Sequence, residues 1–157
     1  MGKSIERQVK DAIITSLGSL PDVDSVETSG RGKIVAESEL ASGLPAVFVT
    51  FPTSSKLGGC GYVRVLFQVN VQARFLFDGD LDEMDMEEIR DALDALEQNV
   101  HAAMTDDPTW NGLAFDTRAV EKVYKITSED VNAPEAMISL SYEVEVHHLP
   151  GDPESAI

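Results

Sequence analysis

The sequence predicts an α+β fold, a mostly antiparallel mixed sheet with two amphipathic helices packed on one face, and three observations carry that prediction. Apolar and polar residues alternate along two long stretches, 63–77 and 136–147, as half-buried antiparallel strands require. Two other stretches, near the start of the chain and between 81 and 104, repeat apolar residues at three- and four-residue steps instead. The strands come in runs punctuated by these two helices, and no internal repeat is present at any period.

The elements follow in order. Ile5, Val9, Ala12, Ile13, Leu17 and Leu20 recur at helical spacing, with Ser4 placed as an N-cap, Gly18 near the end and Pro21 beyond it. The first helix is therefore expected over roughly 4 to 18. Residues 22–43 are rich in Ser, Gly and acids and read as loop, with Ile34-Val35 as the apolar pair able to form one short strand. LPAVFVTF, 44–51, is dense in β-branched and aromatic residues and is closed by Pro52, which marks a strand. PTSSKLGGCG then forms a flexible connection, too long for a tight hairpin.

The long strand follows: Val63, Val65, Phe67, Val69, Val71, Ala73, Phe75 and Phe77 alternate with a face that only Leu66 and Leu76 keep from being wholly polar. In the second helix Ile89, Leu93, Leu96, Val100 and Ala103 form the apolar stripe, and Pro108 ends the pattern. A strand through Val120, Lys122, Tyr124 and Ile126 precedes a turn-rich loop, TSEDVNAPE. The last strand points Ala136, Ile138, Leu140, Tyr142, Val144 and Val146 inward and Ser139, Ser141, Glu143, Glu145 and His147 outward. One domain is expected over 1–148, with 149–157 a flexible C-terminal tail.

Composition bounds the partners. With 12 Lys+Arg against 28 Asp+Glu among 157 residues, the net charge is -16. Duplex binding is driven by basic residues that displace counterions from phosphate, so free nucleic acid is excluded as a ligand. An anionic membrane surface is excluded on the same ground. Hydrophobic residues at 43% and charged ones at 25% are those of a globular domain. Cys60 is the single cysteine and forms no intrachain disulfide, in keeping with a reducing compartment. The opening MGKSIERQVK has no apolar run of a secretory signal, and Glu6 stands where a myristoylation motif wants Ser or Thr. The chain is expected to be soluble and to begin in a cytoplasm.

No motif for chemistry survives inspection. Asp78, Asp80 and Asp82 have the first three spacings of a calcium loop, but Glu83 replaces its glycine and Ile89 its closing glutamate. Acids there already have a reason, since they offset the positive end of a helix dipole. Gly59-Cys60-Gly61 and Gly32-Lys33 each fail the phosphate-binding fingerprints. Nothing places Cys60 beside His101, and His147 and His148 point to opposite faces of a strand. Trp110 is expected to close the core beneath the second helix. No catalytic, metal-ligating or cofactor-binding residue is therefore expected, and a small soluble ligand- or metal-binding enzyme is the alternative.

The order of elements says more. The helix IERQVKDAIITSLGSL, the Gly30-Arg31 loop leading to Glu37 and Glu39, and the strand Leu44-Pro45-Ala46-Val47-Phe48-Val49 come first. YVRVLFQVNVQARF, the acidic helix from Leu81-Asp82 to Ala103-Met104, and ISLSYEVEV complete the series. In this layout, over about 5 to 147, the chain resembles the tail terminator family of long-tailed bacteriophages. Related neck and tail-completion proteins share the plan. The resemblance implies a structural virion protein that forms a hexameric ring on the finished tail tube, stops its polymerisation and offers a surface for head joining. It implies as partners other copies of the chain, the tube protein and a neck or connector protein, with the genome passing through unbound. It implies assembly in the host cytoplasm and a place at the head-proximal end of the tail. It transfers no functional residue, because the match is one of layout.

Charge distribution adds two site expectations. Residues 78–97 hold ten acids and one base, a net of -9, which leaves -7 for the rest of the chain. Glu87, Asp91 and Asp94 are therefore read as an acidic face that repels DNA in the ring's passage. Arg31, Lys33, Lys56 and Leu57 are the candidate subunit or tube interface.

Overall fold

The computed structural model describes residues 2–20, 25–28, 46–58, 61–76, 86–127 and 135–157. Helix α1 (Ile5–Gly18) begins where Ser4 leaves helical geometry, at φ -57° and ψ 154°, and its Oγ accepts the Arg7 N–H at 3.3 Å. Its buried stripe is Ile5, Val9, Ile13 and Leu17. Lys10 bonds Glu6 one turn back at 2.9 Å and also lies 5.2 Å from the ring centroids of Phe51 and Phe67. Among the described side chains of helix α2 (Met86–Thr105), Leu93, Leu96, Val100 and Met104 are buried, while Ala103, expected in the stripe, is only partly so.

The strands are β1 (Ser25–Thr28), β2 (Ala46–Thr50), β3 (Ser54–Gly58), β4 (Val63–Leu76), β5 (Asp116–Thr127), β6 (Glu135–Leu149) and β7 (Asp152–Ala156). They form one sheet in the order β1-β2-β4-β6-β5, with β3 also on β4 and β7 also on β6. The pairing of β1 with β2 is parallel and every other one antiparallel. The expected α+β class is what the chain adopts.

The axis of the sheet is the ladder of β4 on β6, running from Val63 opposite His148 to Leu76 opposite Glu135. Its period of two puts Phe67 against Val144, Val69 against Tyr142 and Val71 against Leu140 on one face, all buried with the apolar stripes of both helices. The helices share that face and divide it. α1 runs across the sheet between β7 and β1, with Lys10 over the Phe67 ring of β4 on the way, and α2 lies on β6 and β5, where Lys122 bonds Glu97.

Three segments depart from expectation. SSKLG is a strand: β3 continues the line of β2 along β4, with Thr50 opposite Asn70 and Ser54 opposite Phe67. Phe51, Pro52 and Thr53 thus face only residues 68 and 69, a bulge that gives Pro52 a place free of the ladder. Its five residues are all exposed, so no apolar alternation betrays it. The expected tail likewise holds β7, paired to β6 at His148 and Leu149, and the Gln8 amide donates to the Glu154 carbonyl at 3.0 Å. Finally β1 forms at Ser25–Thr28, while Ile34-Val35 lies outside the described residues.

The connection from α2 to β5 is built on one carboxylate. Asp107 accepts Thr109 N–H at 3.2 Å, Thr109 O–H at 2.8 Å and Asn111 N–H at 2.7 Å. These bonds hold a turn in which Trp110, Asn111 and Gly112 have φ of 50°, 63° and 84°. The turn directs Trp110 into the core, buried as expected, with its indole N–H donating to Thr117 Oγ1 at 2.9 Å.

Candidate interaction surface

The outer face of the sheet, opposite the helices, carries the even residues of β4 and the odd residues of β6. Its middle is polar, with Asn70 beside Ser141 and Gln72 beside Ser139. Toward the Val63 end it changes character. Glu145, on that outer face, has a side chain only 6% exposed. Arg64 grips it with two bonds, Nε to Oε1 at 2.7 Å and Nη2 to Oε2 at 3.1 Å. Arg118 reaches across from β5 to the same Oε2 at 3.0 Å and to Glu143 at 3.1 Å. His147 Nε2 lies 2.7 Å from Glu145 Oε1. The Arg64 hydrogen bonds hold the Glu145 carboxyl below the usual carboxylate range against the opposing effect of burial, with a smaller contribution from His147.

Above this ionic floor His147 sits between two aromatic rings, Phe115 at 4.4 Å and Tyr62 at 5.0 Å between centroids. Phe115 is 62% exposed, although its N–H is anchored on the Glu145 carbonyl at 2.7 Å. Leu57 stands on β3 opposite Arg64, and Leu149 continues the face beyond His147; both are about half exposed. Of the seven large apolar residues exposed among those described, four (Leu57, Tyr62, Phe115 and Leu149) therefore gather at this one end. Exposed aromatic rings with arginines held in place are the composition of protein interface centres.

A second feature lies on the helix side. A cleft of about 220 Å³ opens between α2 and β5, lined among others by Glu97, His101, Val120, Glu121 and Tyr142. The bulge between Ala119 and Glu121 leaves Val120 outside the ladder and exposed at its rim. His101 Nδ1 lies 3.2 Å from the buried Tyr142 hydroxyl, with the rings stacked. Burial, and secondarily the charge of Glu97, pushes the Tyr142 phenol up, so it stays neutral and serves as a hydrogen-bonding group. Lys122 bonds Glu97 at 2.8 Å at the cleft margin.

The residues predicted from sequence are spread over the molecule. Lys56 and Leu57 occur together on β3 but face opposite ways: Leu57 joins the outer face, and Lys56, opposite inward Val65, turns to the helix side. There burial raises the Glu6 carboxyl, but hydrogen bonds from Lys10 and Ser54 and the charges of Lys10 and Lys56 bring it below its ordinary value. Asp91 and Asp94 are exposed on α2, where Asp94 accepts from Gln98 at 3.2 Å, and Glu87 belongs to the first turn. Arg31, Lys33, Cys60, Asp78, Asp80 and Asp82 lie outside the described residues. Among those described, no group of three or more His, Cys, Asp or Glu side chains could hold a metal ion, and no helix is long and apolar enough to cross a membrane.

The sequence reading missed the Arg64–Glu145–Arg118 cluster and its aromatic lid. Alternation places Arg64 and Glu145 on polar faces, but their meeting depends on strand register. The two histidines are both drawn into the structure: His148 is buried with Nδ1 2.8 Å from the Leu149 carbonyl, and His147 lies against the rings of Tyr62 and Phe115. No protein-family model and no curated protein matches the chain.

Proposed function

We propose that the chain is a structural virion protein, a tail terminator that assembles as a hexameric ring, caps the tail tube, stops its polymerisation and presents a surface for head joining. The reading rests on the order of elements that resembles that family, and one structural observation carries it furthest. Both helices cover the same face of the sheet, so the other face is left to partners, and its exposed aromatic and apolar residues converge on the Arg64–Glu145–Arg118 cluster. Such a surface suits repeated docking on a tube or neck protein. In the ring, the acidic face of α2 rims the passage, where Asp91 and Asp94 repel DNA phosphate and let the genome slide.

Electron microscopy of the concentrated protein tests the ring, and tail length in infected cells tests the capping. Six-fold rings are expected, and Phe115→Glu is expected to keep the fold and yield tails of uncontrolled length. A protein that stays monomeric, or a Phe115→Glu variant with normal tails, overturns the assignment in its first or second part. Asp91→Lys with Asp94→Lys is expected to give assembled particles that retain their DNA; normal ejection sinks the passage assignment.

A further inference from the structure

We propose that β5 is an interaction edge for a second copy of the chain, pairing antiparallel with its own counterpart about a two-fold axis at Val123. β5 is the outermost strand of the sheet, and among the described residues no strand pairs with its free side. Such an edge is a row of open N–H and C=O groups, a template for another strand. Residues 118–123 are all exposed. Val120 and Val123, at 61% and 44%, are the large apolar residues among them, and they lie apart from the outer-face cluster around Glu145.

The strand itself selects the occupant and the register. The bulge between Ala119 and Glu121 breaks the first half of the edge, which leaves the regular positions from Glu121 to Thr127. Directly opposite residues share a face, so when two identical strands pair antiparallel, one residue lies opposite its own copy on the axis. With Glu121, Lys122 or Lys125 there, like charges meet. With Tyr124 there, Val123 comes opposite Lys125 and no ion pair forms. With Val123 there, valine meets valine, and Glu121 comes opposite Lys125 twice, once on each side of the axis. Glu121 and Val123 both belong to the outer face, opposite Ser141 and Ser139, and Lys122 lies on the other face, bonded to Glu97 of its own copy.

This contact goes beyond the ring reading and does not depend on it. An isologous pair closes on itself, so it neither builds a head-to-tail ring nor uses up ring contacts made elsewhere on the molecule. A single short strand pair buries less than the roughly 1,200 Å² of a stable interface, so the dimer is reversible and forms at high protein concentration.

Cysteine cross-linking of the full chain in a Cys60→Ser background tests the contact, with covalent dimer read on a non-reducing gel after mild oxidation. Val123→Cys is expected to cross-link, because opposite Cα atoms in an antiparallel pair are about 4.5–5.5 Å apart, within disulfide reach. Glu121→Cys alone is expected to give no covalent dimer, since its two copies are offset by four positions, roughly 13 Å. Mixed with Lys125→Cys it is expected to give one. Adding Lys125→Glu to Val123→Cys is expected to slow cross-linking roughly tenfold, and adding Glu121→Lys as well to restore it. Circular dichroism establishes that each variant is folded, and Lys125→Gln, also expected to slow cross-linking, replaces Lys125→Glu if the latter unfolds. No covalent dimer from folded Val123→Cys at high concentration overturns the contact, whatever rings the protein forms. Cross-linking of Tyr124→Cys in place of Val123→Cys, or a rate unmoved by the Lys125 variants, overturns the register. Covalent dimers from a protein that shows no rings under the microscope overturn the ring reading and leave this contact standing.

Discussion

Glu145→Gln removes the charge at the centre of the outer-face cluster while keeping the side-chain shape. In the native protein this 6%-exposed carboxylate accepts two bonds from Arg64 and one from Arg118 and lies beside His147 Nε2. The amide offers one acceptor oxygen and turns an N–H₂ toward groups that are themselves donors. Removing one partner of a fully buried ion pair costs about 3–5 kcal/mol. Here Arg64 and Arg118 are 38% and 47% exposed and regain water, so the expected loss is about 2–3 kcal/mol near neutral pH. In a chain of 157 residues this lowers the midpoint of thermal unfolding by roughly 4–12 °C.

The pH dependence provides a second readout. Because hydrogen bonding from Arg64 depresses the Glu145 carboxyl below its ordinary value of 4.5, its contribution is complete above that value and is lost as pH falls through the folded one. The stability difference between wild type and Glu145→Gln should be level above about pH 5 and shrink in more acid solution. Urea unfolding followed by circular dichroism across that range measures it. A loss under about 0.5 kcal/mol at neutral pH, the level of an ordinary surface substitution, refutes the reasoning. So does a difference that stays constant into acid.

Thr117→Val should cost about 1–3 kcal/mol in urea unfolding, because it strips the buried Trp110 indole N–H of its acceptor and the Pro108 carbonyl of its donor. Gly112→Ala should cost about 1–2 kcal/mol from backbone strain at φ 84° alone, since no atom lies within 4 Å of the new Cβ; unchanged melting would contradict that φ. Phe67→Ala, which empties the site between Val144 and the Phe51 ring, should lose about 3–5 kcal/mol. Ser4→Ala should lower stability by about 0.5–1 kcal/mol, the low end for an N-cap because the bond is 3.3 Å long.

Where side-chain burial drives an element, the sequence displayed it. Ile5, Val9, Ile13 and Leu17 of α1, Leu93, Leu96 and Val100 of α2, and the inward residues of β4 from Val65 to Ala73 and of β6 from Ile138 to Val146 are buried as periodicity selects, while at the end of α2 Met104 is buried in place of the expected Ala103. β3 and β7 escaped because their side chains are exposed or nearly so; backbone hydrogen bonds to β4 and β6 make them strands, and a backbone bond leaves no trace in apolar spacing. The start of β5 at Asp116 escaped as well, since Arg118 faces outward and the bulge at Val120 breaks the alternation. Of the site residues, Lys56 and Leu57 were visible as exposed polar and apolar neighbours, but not that the strand sends them to opposite faces.

Sequence by itself thus determined the class of fold, the core and the strong acidic bias, because periods of two and of three to four residues and net charge are properties of the chain alone. Tertiary structure decided which polar residues meet. Arg64 and Glu145 are 81 positions apart and Arg118 and Glu145 27 apart, and they form one cluster only because the β4–β6 and β5–β6 registers bring them together. The cleft also depends on register, since the bulge at Val120 and the seating of α2 on β6 are set by packing between elements distant in the chain.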